Sequence, residues 1–460
     1  MKAVIVGGGP VGCLVARELR KRAFEVHVFE RGPDPRRQQQ SRSHSFNLTL
    51  TLRGLSALDG PLQARLYAQG LALWKRVIHH ADGTRSDQPY GTAPQHHLLS
   101  IPRRALHATL LDEAERAGVR VRFGHECLRA DPRRARATFV AGNSLFDEEA
   151  DLLVGCDGTH SVVRQELSRH GARMDLHQQH LAHGYVELGM PAAPGGVHGL
   201  LARGTEGAEQ GLHVWPRGDF MLLAQPNRDA SYTATLFMPL APSAPGRPAL
   251  QALSSGETAE AFFAQHFADA LPHLPQLAQD FRAGPASSLR TVRCGPFHLG
   301  RTVLLGDAAH TLVPFYGQGI NCSFEDVQVL MALLEESLPH AALPQALARF
   351  SAARKAPGDA IAELSLANLY ELSAHTGERR YQARRALERE LHRRCPEAFT
   401  PLYTQVAFSR VPYDEVLRRH AQERAALDAL CERYDVLGEP EKILEAFCAQ
   451  LQAGPTRGAA

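Results

Sequence analysis

The stretch AVIVGGGPVGCLVARELRKRAFEVHVFE, residues 3–30, holds a short apolar run, a Gly-x-Gly-x-x-Gly turn, a helical segment and a second apolar run ending in an acid. Residues 3–6 have the bulk and length of a buried strand. Gly7 permits a tight turn, Gly9 lets a pyrophosphate approach the backbone, and Gly12 lets the following helix pack on the sheet. Glu30, 18 residues beyond Gly12, is set to accept both hydroxyls of an adenosine ribose. A carboxylate there repels a ribose 2′-phosphate, which favours FAD or NAD as the resident dinucleotide over NADP. The complete strand–turn–helix–strand unit with its acid predicts an α/β fold with a Rossmann-like domain at the start of the chain.

Outward from this unit, residues 303–326, VLLGDAAHTLVPFYGQGINCSFED, repeat the theme. Residues 303–305 read as a buried strand that stops at Gly306-Asp307, and a carboxylate in that position can accept hydrogen bonds from a ribityl or ribose hydroxyl. Pro314, Gly317 and Gly319 mark a turn, after which Ile320, Phe324, Val327, Leu330, Met331 and Leu334 recur at helical spacing. A helix N-terminus fed by a glycine-rich turn suits a phosphate or an anionic flavin ring. Residues 150–158, ADLLVGCDG, form a third strand ending in Asp-Gly, with Ser161 and Arg164 at a helix start.

The remaining pattern fills in around these three signals. Residues 31–45 read as an exposed loop, 47–52 as a strand, 54–78 as helical, 103–117 as a helix, 119–123 as a strand and 144–147 less clearly as one. Residues 213–216 and 232–238 alternate as strands of an antiparallel sheet. From Leu338 onward the chain is predominantly helical, and 452–460 form a small polar tail expected to be disordered. No second Gly-x-Gly-x-x-Gly occurs, so a nicotinamide cofactor has no Rossmann domain of its own.

With 460 residues, 44% of them hydrophobic, the chain can bury two or three interleaved domains. The net charge of +2 is too balanced for a nucleic-acid partner. Eight scattered cysteines without a CxxC pair indicate neither a zinc site nor a disulfide framework. No apolar run reaches 18 residues and no signal peptide precedes the first strand, so a cytoplasmic location without a membrane anchor is expected.

GxGxxG, then GCDGxxSxVR, then LLGDAAH followed by GQGxN resemble, in this order, the class A flavoprotein aromatic hydroxylases. Phe46-Asn47-Leu48, Pro89-Tyr90-Gly91-Thr92, Trp215-Pro216-Arg217, Leu236-Phe237-Met238-Pro239, Val313-Pro314-Phe315-Tyr316-Gly317-Gln318-Gly319 and the Pro401-Leu402-Tyr403-Thr404 run narrow the resemblance to the kynurenine 3-monooxygenases. It spans residues 2–419. The fold it implies is a Rossmann-like FAD-binding domain with an inserted antiparallel β-sheet substrate domain and a C-terminal helical region. The expected division assigns 1–70, 101–180 and 296–340 to the FAD-binding domain and 71–100 and 181–295 to the substrate domain. Residues 341–452 form the helical region and 453–460 the tail.

The resemblance assigns FAD binding to Gly7, Gly9, Gly12, Glu30, Arg103, Asp157 and Asp307, with Gly319 and Asn321 beside the flavin ring. It assigns an aromatic amino-acid substrate to Arg76, which would grip the carboxylate with help from Tyr90, Asn368 and Tyr403, while Phe237, Leu372, Pro314 and Phe315 enclose the ring. It implies NADPH as transient reductant and O₂ as oxygen source, with a flavin C4a-hydroperoxide delivering oxygen to L-kynurenine, no metal and no side-chain general base. His310, just past a strand end, reads as structural. The chain departs from the family pattern at His44, which stands for an arginine, at Leu372, which stands for a methionine, and at Thr49 and Thr51, which stand for smaller residues. It also lacks the hydrophobic C-terminal anchor of membrane-bound relatives and resembles the soluble bacterial form. A related flavin monooxygenase acting on a substituted kynurenine or another indole-derived aromatic, and a non-catalytic flavin-binding sensor, are the alternatives.

Overall fold

In a computed structural model that describes residues 1–37, 47–91, 93, 95–200, 211–253, 256–282, 286–336, 342–371 and 379–452, the apolar runs of the sequence assemble two main sheets. The first has six strands in the order His298–Leu299, Thr302–Leu304, Leu152–Gly155, Lys2–Val6, Glu25–Glu30 and Arg120–Phe123. All pair in parallel except the edge strand His298–Leu299. Its central strands are buried on both faces, which is why they read as unbroken apolar runs and not as alternating ones. The helices Pro10–Lys21, Arg103–Arg116 and Gly319–Glu336 contribute to the core around it.

The three strands Lys2–Val6, Leu152–Gly155 and Thr302–Leu304 are adjacent although about 150 residues separate each from the next in sequence. The glycine turn after the first and the Asp157 and Asp307 turns after the other two therefore meet on one edge of the sheet, the usual location of a ligand in a parallel α/β sheet. At the first turn Gly7 has φ +100°, and a Cβ on it would lie 2.3 Å from the Cys156 carbonyl oxygen; one on Gly12 would lie 2.0 Å from the Gly7 carbonyl oxygen. No other residue type fits either place.

The second sheet has eight strands, in the order His310–Thr311, Ser287–Gly295, Asp175–Met190, Tyr232–Pro239, Phe220–Pro226, Gly211–Arg217, Lys75–His79 and Arg85–Pro89. It is antiparallel except where Gly211–Arg217 runs parallel to Lys75–His79. Trp215, Leu222, Leu236 and Phe263 are among the residues that fill the core between its outer face and the helix Gly256–His266. One expectation fails here: residues 54–78 do not continue as a helix. Only Leu52–Leu55 and Gly60–Tyr67 are helical, and Lys75–His79 is a strand. Asp59 caps the second helix by accepting from the Leu62 amide at 3.1 Å, which starts a new helix at the Gly60-Pro61 turn. The β-branched pair Val77-Ile78 is then recruited by strand pairing, which outweighs local periodicity.

Two smaller sheets complete the chain. Asn47–Leu50, Leu98–Pro102 and Leu71–Leu73 form one, and Glu126–Asp131, Arg136–Ala141 and Ser144–Glu149 the other. The C-terminal region is built from the helices Leu343–Tyr370, Arg379–Arg394, Leu402–Phe408, Tyr413–Arg433 and Pro440–Gln452. Among the described residues no helix is long and apolar enough to cross a membrane. His44, Leu372 and the tail 453–460 lie outside the described residues.

Candidate active site

A cavity of about 330 Å³ lies between the two sheets, bounded at one end by Gly9, Pro10, Arg103, Asp307 and Gly319 and at the other by Arg76, Tyr90, Phe237, Phe315 and Tyr403. Of the residues expected from the sequence, Gly9, Arg103, Asp307, Gly319, Arg76, Tyr90, Phe237, Pro314, Phe315 and Tyr403 all line it.

At the first end bare backbone is part of the surface. Gly9 caps the helix Pro10–Lys21 without a side chain, and an added Cβ at Gly9 or Gly319 would meet nothing within 4 Å. Each therefore presents bare backbone, at the N-terminus of a helix, to open space. Asp307 opens onto the cavity while protein surrounds it, and that burial pushes its carboxyl upward against the pull of His310, Arg103 and Arg164. Hydroxyl groups of a ligand entering the cavity could donate to it. An extended dinucleotide such as FAD fits this donor set: bare N–H groups for phosphate, a guanidinium beside them, and a carboxylate for a hydroxyl.

The other expected cofactor residues act one step away. Glu30 Oε2 accepts from the Gly8 amide and Oε1 from the Gly32 amide, each at 2.7 Å, so its carboxylate also braces the glycine turn. Asp157 does not line the cavity. Its carboxylate accepts from Ser161 Oγ at 2.6 Å and from the amides of Val162 and Val163 at 2.7 and 3.1 Å, capping the helix Val162–Arg169. Asn321 is fully buried, donating to the carbonyls of Thr49 and Gly317 and accepting from the Thr51 amide. His107, which nothing in the sequence pattern marked, approaches the Gly8 carbonyl oxygen through Nε2 at 2.6 Å and holds the same turn from the far side.

At the second end side chains make the surface. Tyr90, Tyr403 and Tyr316 stack in succession, with neighbouring ring centroids 5.3 Å apart. The Arg76 guanidinium lies 4.6 Å from the Tyr403 ring centroid and 5.3 Å from that of Tyr90. Burial opposes its charge, but Tyr90, Tyr403 and Tyr381 outweigh burial and favour it. Among the described residues no carboxylate forms an ion pair with Arg76. The Tyr90 hydroxyl beside it is buried without a hydrogen bond of ordinary geometry. Phe237 and Phe315 meet edge to face at 5.0 Å. Asn368 does not reach the cavity; it donates from Nδ2 to the Phe315 carbonyl at 2.6 Å and so fixes the turn that carries Pro314 and Phe315. Sequence reasoning missed most of the sheet's contribution. Leu212 and Val214, Leu223 and Gln225, and Thr233 and Thr235 line the cavity together with Phe237. These are alternate positions on three neighbouring strands, a period of two that was available once Phe237 was placed.

His310 belongs to a buried ionic cluster behind the cavity. Its Nε2 lies 2.5 Å from Asp326 Oδ2, while Arg354 donates to Asp326 Oδ1 at 2.5 Å and to Glu325 Oε2 at 2.8 Å. Arg53 completes the set at 2.5 Å from Glu325 Oε1. Burial disfavours a charged His310, but Cys322 and Asp326 prevail and hold the imidazole well above its ordinary range. His310, Cys322 and Asp326 also bring metal-ligand atoms within 4.8 Å of one another, yet both Asp326 oxygens are already engaged by His310 and Arg354.

Residues 1–235 and 243–365 match the family described as the FAD binding domain. The kynurenine 3-monooxygenase of Sus scrofa is 37% identical over 432 residues, covering 92% of this chain and 87% of that protein. That of Cytophaga hutchinsonii is 35% identical over 431 residues, covering 93% of each chain. Among solved structures, the tetrameric form of 2-methyl-3-hydroxypyridine-5-carboxylic acid oxygenase superposes with a TM-score of 0.66 at 21% identity, over 85% of this chain and 97% of that one, a likeness of fold.

Proposed function

Since the chain belongs to the kynurenine 3-monooxygenase family, we propose that this FAD-dependent monooxygenase hydroxylates L-kynurenine to 3-hydroxy-L-kynurenine. The observation that carries the substrate assignment is Arg76, a cation without a carboxylate partner among the described residues, laid over two tyrosine rings at the wall of an otherwise largely apolar cavity. A zwitterionic amino acid supplies the absent carboxylate, which a guanidinium can hold with two parallel hydrogen bonds. The neighbouring Tyr90 hydroxyl gains a partner in the same step.

In this reading the six-stranded sheet holds the cofactor and the eight-stranded sheet the substrate. Gly9, Arg103, Asp307 and Gly319 would hold FAD, whose chemistry when bound is the reductive activation of O₂ with electrons brought by NADPH. Phe237, Pro314 and Phe315 close on the aniline ring and keep water away from it, and Asn368 sets the height of that wall through the Phe315 carbonyl. Its amino group activates the ortho carbon, so the protein need only orient the ring. No side-chain base is required, and His310 is committed to Asp326. Its place of action is the cytoplasm.

The test compares L-kynurenine with its decarboxylated analogue on purified, FAD-loaded protein, following NADPH consumption and identifying products by mass. The assignment expects a hydroxylated product from L-kynurenine and a large preference over the analogue. Equal use of the two, or NADPH consumption with no gain of one oxygen atom, would rule it out.

A further inference from the structure

Two thiols meet outside the cavity lining, in the C-terminal helical region. Cys395 follows directly on the helix Arg379–Arg394, Cys448 lies in the last helix, Pro440–Gln452, and their sulfurs are 2.7 Å apart. Both are only partly buried, so a small oxidant can reach them, whereas Cys13, Cys127, Cys294 and Cys322 are sealed in the interior. A disulfide needs about 2.0 Å between sulfurs. The contact already present leaves less than about 1 Å to close, within the reach of a side-chain torsion.

We propose that Cys395 and Cys448 form an oxidation site, at which hydrogen peroxide converts the thiol pair to an intrachain disulfide. One sulfur, as thiolate, attacks a peroxide oxygen, breaks the O–O bond and becomes a sulfenic acid as hydroxide leaves. The second sulfur attacks the first, the S–S bond forms, and the sulfenic oxygen leaves as water once protonated. The pair loses two protons and two electrons, and the peroxide is reduced to two waters. The oxidant is at hand: a flavin monooxygenase that activates O₂ without passing oxygen to a substrate releases hydrogen peroxide. The bond joins residues 53 positions apart, ties the end of one helix to the last helix, and constrains the unfolded chain between them. A thiol reductant reverses it.

The experiment uses the full-length protein, reduced, freed of reductant and exposed to a small excess of hydrogen peroxide, followed by mass mapping without reduction. The expected result is a mass loss of about 2 Da in a cross-linked peptide pair containing Cys395 and Cys448. Tm should rise by roughly 2 to 5 °C and return to its starting value with dithiothreitol. Cys395→Ser and Cys448→Ser should each abolish both signals, and Cys431→Ser, which alters the nearest other thiol of that core, should keep them. Recovery of Cys395 and Cys448 unlinked, as thiols or as sulfinic acids, overturns the proposal, as does a cross-link running through Cys431. The mapping is made on unaltered protein, so it decides the matter even where a variant folds poorly.

Discussion

The two ends of the cavity recognise by different means. At the cofactor end bare backbone is part of the surface: Gly9 and Gly319 present unsubstituted chain, and Glu30, Asp157 and Asn321 spend their polar atoms holding neighbouring chain in shape. At the substrate end the surface is side chain, with Arg76 over two of three stacked tyrosines and Phe237 against Phe315. A backbone site is constrained by what must be absent, namely a Cβ, whereas a side-chain site depends on what is present. The first kind tolerates almost no change of residue and all kinds of change around it. The second can be retuned one side chain at a time.

The largest effect that would break this contrast is expected at Gly9. A Cβ there meets no protein atom, so Gly9→Val should leave the Tm of FAD-free protein nearly unchanged. The added methyl groups enter the space assigned to pyrophosphate, and FAD affinity should fall by about 100-fold or more, measured by flavin fluorescence titration. A variant that keeps its FAD would show that the phosphates lie elsewhere. Next in size is Arg76. Removing its charge-assisted bonds costs on the order of 1.5 to 3 kcal/mol, so Arg76→Ala should lower kcat/KM for L-kynurenine roughly 10- to 100-fold, with Arg76→Lys in between and FAD affinity untouched by either. Loss of FAD together with substrate would dissolve the division between the two ends.

The same contrast decides how much was legible beforehand. Gly7, Gly12 and Glu30 follow from stereochemistry, because one turn geometry requires them, and the parallel sheet follows from the apolar runs that precede each acid-bearing turn. Arg76 and Tyr403 lie 327 positions apart in sequence and meet only through tertiary structure; resemblance to a family found them where periodicity could not. Periodicity in fact misread the strand that carries Arg76 as helix; of its two pairing partners one, Gly211–Arg217, lies over a hundred residues downstream. Asp157 and Asn321 pose the converse difficulty. Their side chains bond to neighbouring backbone, and a sequence does not say whether a polar side chain will face a ligand or brace a loop.

Two smaller effects sharpen the picture. Asn368→Ala removes the hydrogen bond to the Phe315 carbonyl without touching the cavity surface. A neutral bond contributes about 0.5 to 1.5 kcal/mol, so KM for L-kynurenine should rise roughly 2- to 12-fold with little change in kcat. An effect confined to kcat would mean that the wall moves during turnover and not on binding. The smallest effect belongs to the outer helices. Burial pushes the Glu423 carboxyl from 4.5 to about 7, with Arg419 opposing and Glu388 reinforcing. The folded state therefore binds more protons than the unfolded chain between these values, and stability falls as pH rises from about 4.5 to about 7. Glu423→Gln should flatten that slope and raise Tm by a few degrees at pH 8 relative to pH 5, read by scanning calorimetry, while substrate use stays constant.

The side chain of Asn321 gives two hydrogen bonds to the carbonyls of Thr49 and Gly317 and takes one from the Thr51 amide. Gly317, at φ +65°, is the pivot of the turn carrying Phe315, and Thr49 belongs to a strand from a distant part of the chain. One primary amide thus acts as a dowel between two separately made parts. Aspartate would set a negative charge against two carbonyl oxygens, and leucine would strand three backbone groups away from water. Neither substitute can transmit a load from one part to the other. The Phe315 turn is therefore braced against strand Asn47–Leu50, so a load placed on one is carried by the other.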